Sequence, residues 1–181
     1  MHRLWPPRVQ QTTGIGEIVN STPDPVVRPA TPDDHRALGR LGALLVEVHH
    51  QFDPRRFFAA DADTARGYGD FLVSQIGRQQ AVLLVVERDG EVLGYSYSGI
   101  EGADFMALRG PAGVLYDLIV DPAGRGQGLG SILLGAMIDA LSTRGVPQIV
   151  LFAAHQNAAA QQLFARNGFR PAMVEMTREV G

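Results

Sequence analysis

The segment from Val114 to Leu134 constrains this chain more than any other. It reads as an apolar strand ending at Val120, a turn marked by Asp121-Pro122, a loop with Gly124, Gly126, Gly128 and Gly130, and a helix that starts inside the loop. Glycines leave the backbone uncovered, so its N–H groups can approach a ligand closely. The helix opens on N–H donors without intrahelical partners and on the positive end of its dipole. Such a terminus binds phosphate, and Arg125 adds a positive charge. The expected ligand group is a pyrophosphate.

Two common phosphate motifs do not fit. A P-loop requires Gly-x4-Gly-Lys-Ser/Thr, and all 16 Lys-or-Arg positions here are arginine. A dinucleotide fingerprint requires Gly-x-Gly-x-x-Gly after a strand. Counted from Gly126 its last position is Ser131, and from Gly128 it is Leu133.

Arg125-x-x-Gly128-x-Gly130, in the context Leu118-x-Val120-Asp121-Pro122-x-x-Arg125-Gly126-x-Gly128-x-Gly130-x-x-Leu133-Leu134, resembles the Arg/Gln-x-x-Gly-x-Gly/Ala motif of the GNAT superfamily of acyl-CoA-dependent N-acetyltransferases. A second match follows it: Asn157-x-x-Ala160-x-x-Leu163-Phe164-x-x-x-Gly168-Phe169 is similar to that family's Asn…Ala…Tyr…Gly-Phe segment. The resemblance runs from about residue 26 to about residue 178.

It implies a mixed α/β fold: a mostly antiparallel central sheet, splayed between its fourth and fifth strands and flanked by helices. It further implies acetyl-CoA as co-substrate, with no metal. The pantetheine arm is expected in the splay beside Leu118, Ile119 and Val120. The pyrophosphate is expected on Arg125, Gly126, Gln127, Gly128, Leu129, Gly130 and Ser131, with Asn157 and Phe164 approaching the cofactor from the other side. Many relatives are dimers, and a homodimer is compatible with the resemblance.

The proton steps depart from the family pattern. The family often carries an acidic tyrosine where Phe164 stands, and phenylalanine has no proton to give. By strand alternation Tyr116 shares a face with Leu118 and Val120, so Tyr116, or ordered water, is the expected proton-handling group. Asp117 falls on the opposite face and reads as structural. Acceptor-site candidates from the region between the first two helices and from the loop after the fifth strand are His49, Phe57, Tyr68 and His155, with Phe52 and Phe58 nearby.

Composition narrows the function classes. A net charge of −3 argues against a nucleic-acid binder. The chain has no cysteine, hence no disulfide and no Cys-based metal site. Its apolar runs fall short of the ~18 to 20 residues of a membrane helix, and Met1 to Pro7 lacks a secretory h-region. A cytoplasmic protein with no membrane partner is expected. The adjacent His49 and His50 diverge by about 100° on a helix and do not form an i, i+4 metal pair. Gly94-Tyr-Ser96-Tyr-Ser98 misses the nucleophile elbow of a serine hydrolase at its last position.

Local signals give the element order β-α-α-β-β-β-α-β-α-β. Residues 1–24 read as a flexible arm, with a short strand conceivable at Ile15 to Val19, and 25–181 as one domain. Thr31-Pro32-Asp33-Asp34 starts the first helix, whose face is Leu38, Leu41, Leu45 and Val48. A second helix is expected from Asp63 to Ile76, and Asp89-Gly90 marks a hairpin. Ile132, Leu133, Ala136, Met137, Ala140 and Leu141 are expected to face the sheet, and Phe169 to Arg178 to form the last strand or hairpin.

Three functions fit this reading. The first is acetyl transfer from acetyl-CoA to the primary amine of a small or amino-acid-like acceptor. The second is N-acetylation of a protein or peptide, and the third is acyl-CoA binding without turnover.

Overall fold

The computed structural model describes residues 23–180. The arm at 1–22 and the short strand considered at Ile15 to Val19 lie outside the described residues. A five-stranded sheet in the order β1-β2-β3-β4-β5 carries helices on both faces. In chain order the elements are β1 (Val26–Pro29), α1 (His35–Phe52), α2 (Thr64–Gln75), β2 (Ala81–Arg88), β3 (Glu91–Glu101), β4 (Ala112–Val120), α3 (Leu129–Thr143), β5 (Ile149–Leu151) and α4 (Ala158–Arg166). Strands β1 to β4 pair antiparallel, and β5 joins β4 in parallel. The mixed α/β fold with a mostly antiparallel sheet is as expected.

Local chemistry sets the boundaries. Asp34 Oδ2 accepts the Thr31 N–H at 2.7 Å, which fixes the turn before α1. Asp34 is buried and also holds the Arg28 guanidinium of β1 at 2.8 and 2.9 Å. Asp89 and Gly90 both take positive φ, 53° and 76°, the geometry of a two-residue hairpin turn between β2 and β3.

One face of the sheet receives α1 and α2 through Leu38, Leu41, Leu72, Val85, Tyr95 and Ile119. The other receives α3 and α4 through Val82, Leu115, Leu134, Met137, Leu141 and Phe164. The two helices of the first layer touch at glycines. A Cβ on Gly39 would meet the Ala65 carbonyl oxygen at 2.2 Å, and one on Gly42 would meet Tyr68 Cδ1 at 2.3 Å.

Two expectations are corrected. Ile132 is exposed and Leu134 takes its place against the sheet, because the helix begins at Leu129 and turns Leu129, Leu133, Leu134, Met137 and Leu141 inward. Residues 169–180 form no strand. The edge available to them, β5, is three residues long, and Pro171 has no N–H for a ladder. Glu175 instead pairs with Arg56, and Glu179 with Arg55 at 3.6 Å, which ties the segment to the loop after α1.

Candidate functional site

The glycine loop is built from its anchors. Asp121 Oδ1 accepts the Ala123 N–H at 2.9 Å and starts the turn after β4. A Cβ on Gly124 would come within 2.8 Å of Leu129 Cδ1. Leu129 is buried with Val86 and Leu133, which pins the first turn of α3 to the end of the sheet. Gly126 and Gly128 have φ of 75° and 79°, a region that costs other residues roughly 1–2 kcal/mol.

Gly128 is the N-cap of α3 and brings no side-chain acceptor. Its carbonyl takes the N–H groups of Ser131 and Ile132 at 3.0 and 3.1 Å. The Arg125 N–H goes to the Pro122 carbonyl at 3.3 Å, so Arg125 offers its side chain and not its backbone. Among the described residues, the N–H groups of Gly126, Gln127, Gly128, Leu129 and Gly130 have no acceptor. Five successive free donors at the positive end of a 15-residue helix make an anion cradle.

The cradle opens on a gap in the sheet. Strand β5 pairs with β4 over Gly113 to Leu115, and among the described residues Tyr116 to Val120 have no partner on that side. Leu118 and Val120 pack toward α3, and Ile119 packs toward α1 and α2.

A β-bulge sits where the gap begins. Tyr97 of β3 opposes Asp117, the next residue Ser98 opposes Leu115, and Tyr116 is the extra residue. Leu115 lies on the α3 side and Asp117 on the α1–α2 side. Tyr116 therefore does not share a face with Leu118 and Val120. The inserted residue breaks the alternation, and Tyr116 joins Asp117 on the first layer's side.

There the two residues line a cavity of about 310 Å3 with Tyr68, Phe71 and Tyr97. Asp117, at 9% exposure, is the most buried of the five. Its Oδ2 accepts from Tyr68 Oη at 2.8 Å and from Tyr95 Oη at 3.0 Å. Burial raises the Asp117 pKa, against the lowering pull of the two phenols and of His49. Tyr116 is 43% exposed and donates to Glu101 Oε1 at 2.5 Å. Burial and that carboxylate push its pKa above the ordinary phenol range, which keeps the proton on the phenol. Arg109 neutralises Glu101 from behind.

Of the acceptor-site candidates, Tyr68 lines the cavity. His49 is close enough to influence Asp117, and Phe57 meets His49 edge-to-face with ring centroids 5.0 Å apart. His155 is exposed and does not line the cavity. Phe164 is buried against Leu115, Leu134 and Phe169. Asn157 Oδ1 caps α4 through the Ala160 N–H at 3.1 Å. Sequence reasoning missed Phe71, Tyr97 and Glu101, and read Asp117 as structural. The signal present was aromatic residues at alternate positions of β3, Tyr95 and Tyr97.

A larger hollow of about 900 Å3 adjoins Ala81 to Leu84, at the start of β2. The glycine loop meets the other end of that strand, where Arg88 bonds Gln127. Arg144, which lines the hollow, is committed to the Gln79 and Ala81 carbonyls at 3.2 and 2.9 Å. The cradle, gap and aromatic cavity are the coherent candidate.

Residues 43–169 match the sequence profile of the acetyltransferase (GNAT) family. A mycothiol acetyltransferase from Clavibacter michiganensis subsp. michiganensis is 38% identical over 95 residues, which is 52% of this chain and 28% of that protein. The chain thus spans under a third of that relative's length. A solved mutant of the BH1408 protein from Bacillus halodurans superposes with a TM-score of 0.76 at 20% identity, covering 86% of this chain and 99% of that one. An aminoglycoside N-acetyltransferase solved with CoA superposes with a TM-score of 0.64 at 17% identity, covering 90% and 99%.

Proposed function

The chain belongs to the acetyltransferase (GNAT) family, and from that premise we propose that it transfers an acetyl group from acetyl-CoA to the primary amine of a small-molecule acceptor. The observation that carries the reading is the run of five free N–H groups from Gly126 to Gly130, set at the mouth of the β4–β5 gap. The pyrophosphate sits on those donors, with the Arg125 side chain and the Ser131 hydroxyl beside it. The pantetheine arm follows the unpaired edge of β4 along Leu118, Ile119 and Val120. Bound acetyl-CoA supplies an activated acyl group and a thiolate leaving group.

The acceptor enters the aromatic cavity, whose size favours a small amine over a peptide. Held beside the bulge, the amine gains effective concentration, worth up to ~7 to 11 kcal/mol in ideal cases. An alkyl ammonium with a pKa near ~10.4 must lose a proton before attack. The Tyr116 Oη accepts that proton while passing its own to Glu101, 2.5 Å away, whose partly exposed carboxylate hands it on to solvent. Tyr116 thus acts as a relay, and no phenolate forms. With a thiol pKa of roughly 8.5 the thiolate is a moderate leaving group, and its departure gains from an acid.

Phe164 keeps one other reading in view. With no hydroxyl on α4 to protonate the leaving sulfur, the chain is also consistent with an acyl-CoA-binding module that does not turn over. Thiol release from acetyl-CoA, measured against a panel of primary amines, separates the two. Amine-dependent release supports transfer, and binding with no release from any amine supports the module.

A further inference from the structure

The cavity at the bulge is built for a positive charge. Its walls are four aromatic rings, and neighbouring rings meet at steep angles: 83° for Tyr68 and Phe71, 85° for Phe71 and Tyr97. Tyr116 lies beside Tyr97 at the rim, with ring centroids 5.0 Å apart and planes 37° apart. Asp117 is the buried polar group among them. It forms no ion pair among the described residues, and its near partners are the Tyr68 and Tyr95 hydroxyls.

A buried carboxylate without a cation is costly, and aromatic rings attract cations most strongly where water is excluded. The charged groups around the cavity do not fill this role. His49 acts on Asp117 only from a distance, Arg109 is bound to Glu101, and Arg78 bonds the Ser74 carbonyl at 2.9 Å. That leaves the place beside Asp117 open to a cation carried by a ligand.

That cation is not the nitrogen that is acetylated. A box of rings and a carboxylate stabilises the charged form of an amine, whereas attack on a thioester requires the neutral form. We propose that the acceptor carries a second, cationic nitrogen, which the box of Tyr68, Phe71, Tyr97 and Tyr116 holds over Asp117 while the reacting amine lies toward Tyr116. The acceptor class is an aminoalkyl ammonium. This inference rests on the acetyl-transfer reading for the reacting amine, but not for the binding of the cation.

The test separates the two. The full-length protein is titrated calorimetrically with choline and with 3,3-dimethylbutan-1-ol, its neutral isostere, neither of which can be N-acetylated. Choline should bind several-fold tighter, the scale of a cation–π contact at partly exposed rings. Asp117→Asn should remove that preference and leave the affinity for the alcohol unchanged. Phe71→Leu, at a ring 47% exposed and outside the buried core, should shrink the preference as well. In thiol-release assays, (2-aminoethyl)trimethylammonium should exceed 3,3-dimethylbutylamine in kcat/KM by a similar factor. Equal binding of choline and the alcohol overturns the proposal, even if both amines are acetylated. Preferential choline binding with no thiol release from either amine upholds the box and overturns the transfer reading.

Discussion

Tyr68 on α2 donates its hydroxyl to Asp117 on β4 at 2.8 Å, and this bond joins the helical layer to the bulged strand at the floor of the cavity. The placement depends on Gly42 of α1, because the Tyr68 ring occupies the space where a Cβ at that position would lie. The aromatic cavity is therefore set by helix packing as much as by the strand.

Gly42→Ala should displace the Tyr68 ring and cost about 1–3 kcal/mol of stability, as overpacked sites do. Acceptor KM should rise, while acetyl-CoA affinity, which depends on the distant loop, should hold. Denaturant midpoints together with KM values for both substrates check this. An unchanged acceptor KM would detach Tyr68 from the acceptor site.

Tyr116→Phe removes the relay but keeps the ring. At neutral pH kcat should fall by about 10²-fold or more, the usual scale of positioned proton transfer. The deficit should shrink as pH rises toward the amine's own pKa, because the acceptor then arrives neutral. A pH profile of kcat for both proteins decides the point. Parallel profiles would remove Tyr116 from the proton path.

Two buried carboxylates should respond to pH with opposite sign. Arg28 holds the Asp34 pKa below the ordinary range, so Asp34 contributes stability above its unfolded pKa of ~3.9 and loses it as pH falls through the depressed folded value. Burial raises the Asp117 pKa, so the advantage of its protonated form, complete below ~3.9, is lost as pH rises through the raised value. Asp34→Asn should therefore be destabilised at neutral pH, whereas Asp117→Asn should be as stable as the parent or more so. Urea unfolding of the three proteins at pH 4 and pH 7 measures both effects.

The glycine loop, its flanking elements and the Asp89-Gly90 turn were legible because each depends on local chemistry: free N–H groups, a proline-marked turn, left-handed φ. The side on which Tyr116 lies was not legible. Alternation assigns faces only while register holds, and a single bulge residue between Leu115 and Asp117 inverts the assignment. The cavity was hidden for a related reason. Phe71 and Tyr97 come from elements that read as ordinary core, and only the packing of α2 on β3 and β4 brings them to Asp117. The last strand failed because pairing depends on the edge it meets, and β5 offers only Ile149 to Leu151.

The central claim is that the backbone from Gly126 to Gly130 binds the pyrophosphate of acetyl-CoA. Calorimetric titration of the parent and of Gly128→Val with acetyl-CoA tests it most directly. Space surrounds Gly128, so the valine acts by straining a left-handed φ, at a cost of about 1–3 kcal/mol, and by covering the donors. The account predicts tight binding by the parent and a loss of at least about tenfold in the variant, with its circular dichroism spectrum unchanged. Equal affinity in the two proteins, or no binding by the folded parent, would contradict it.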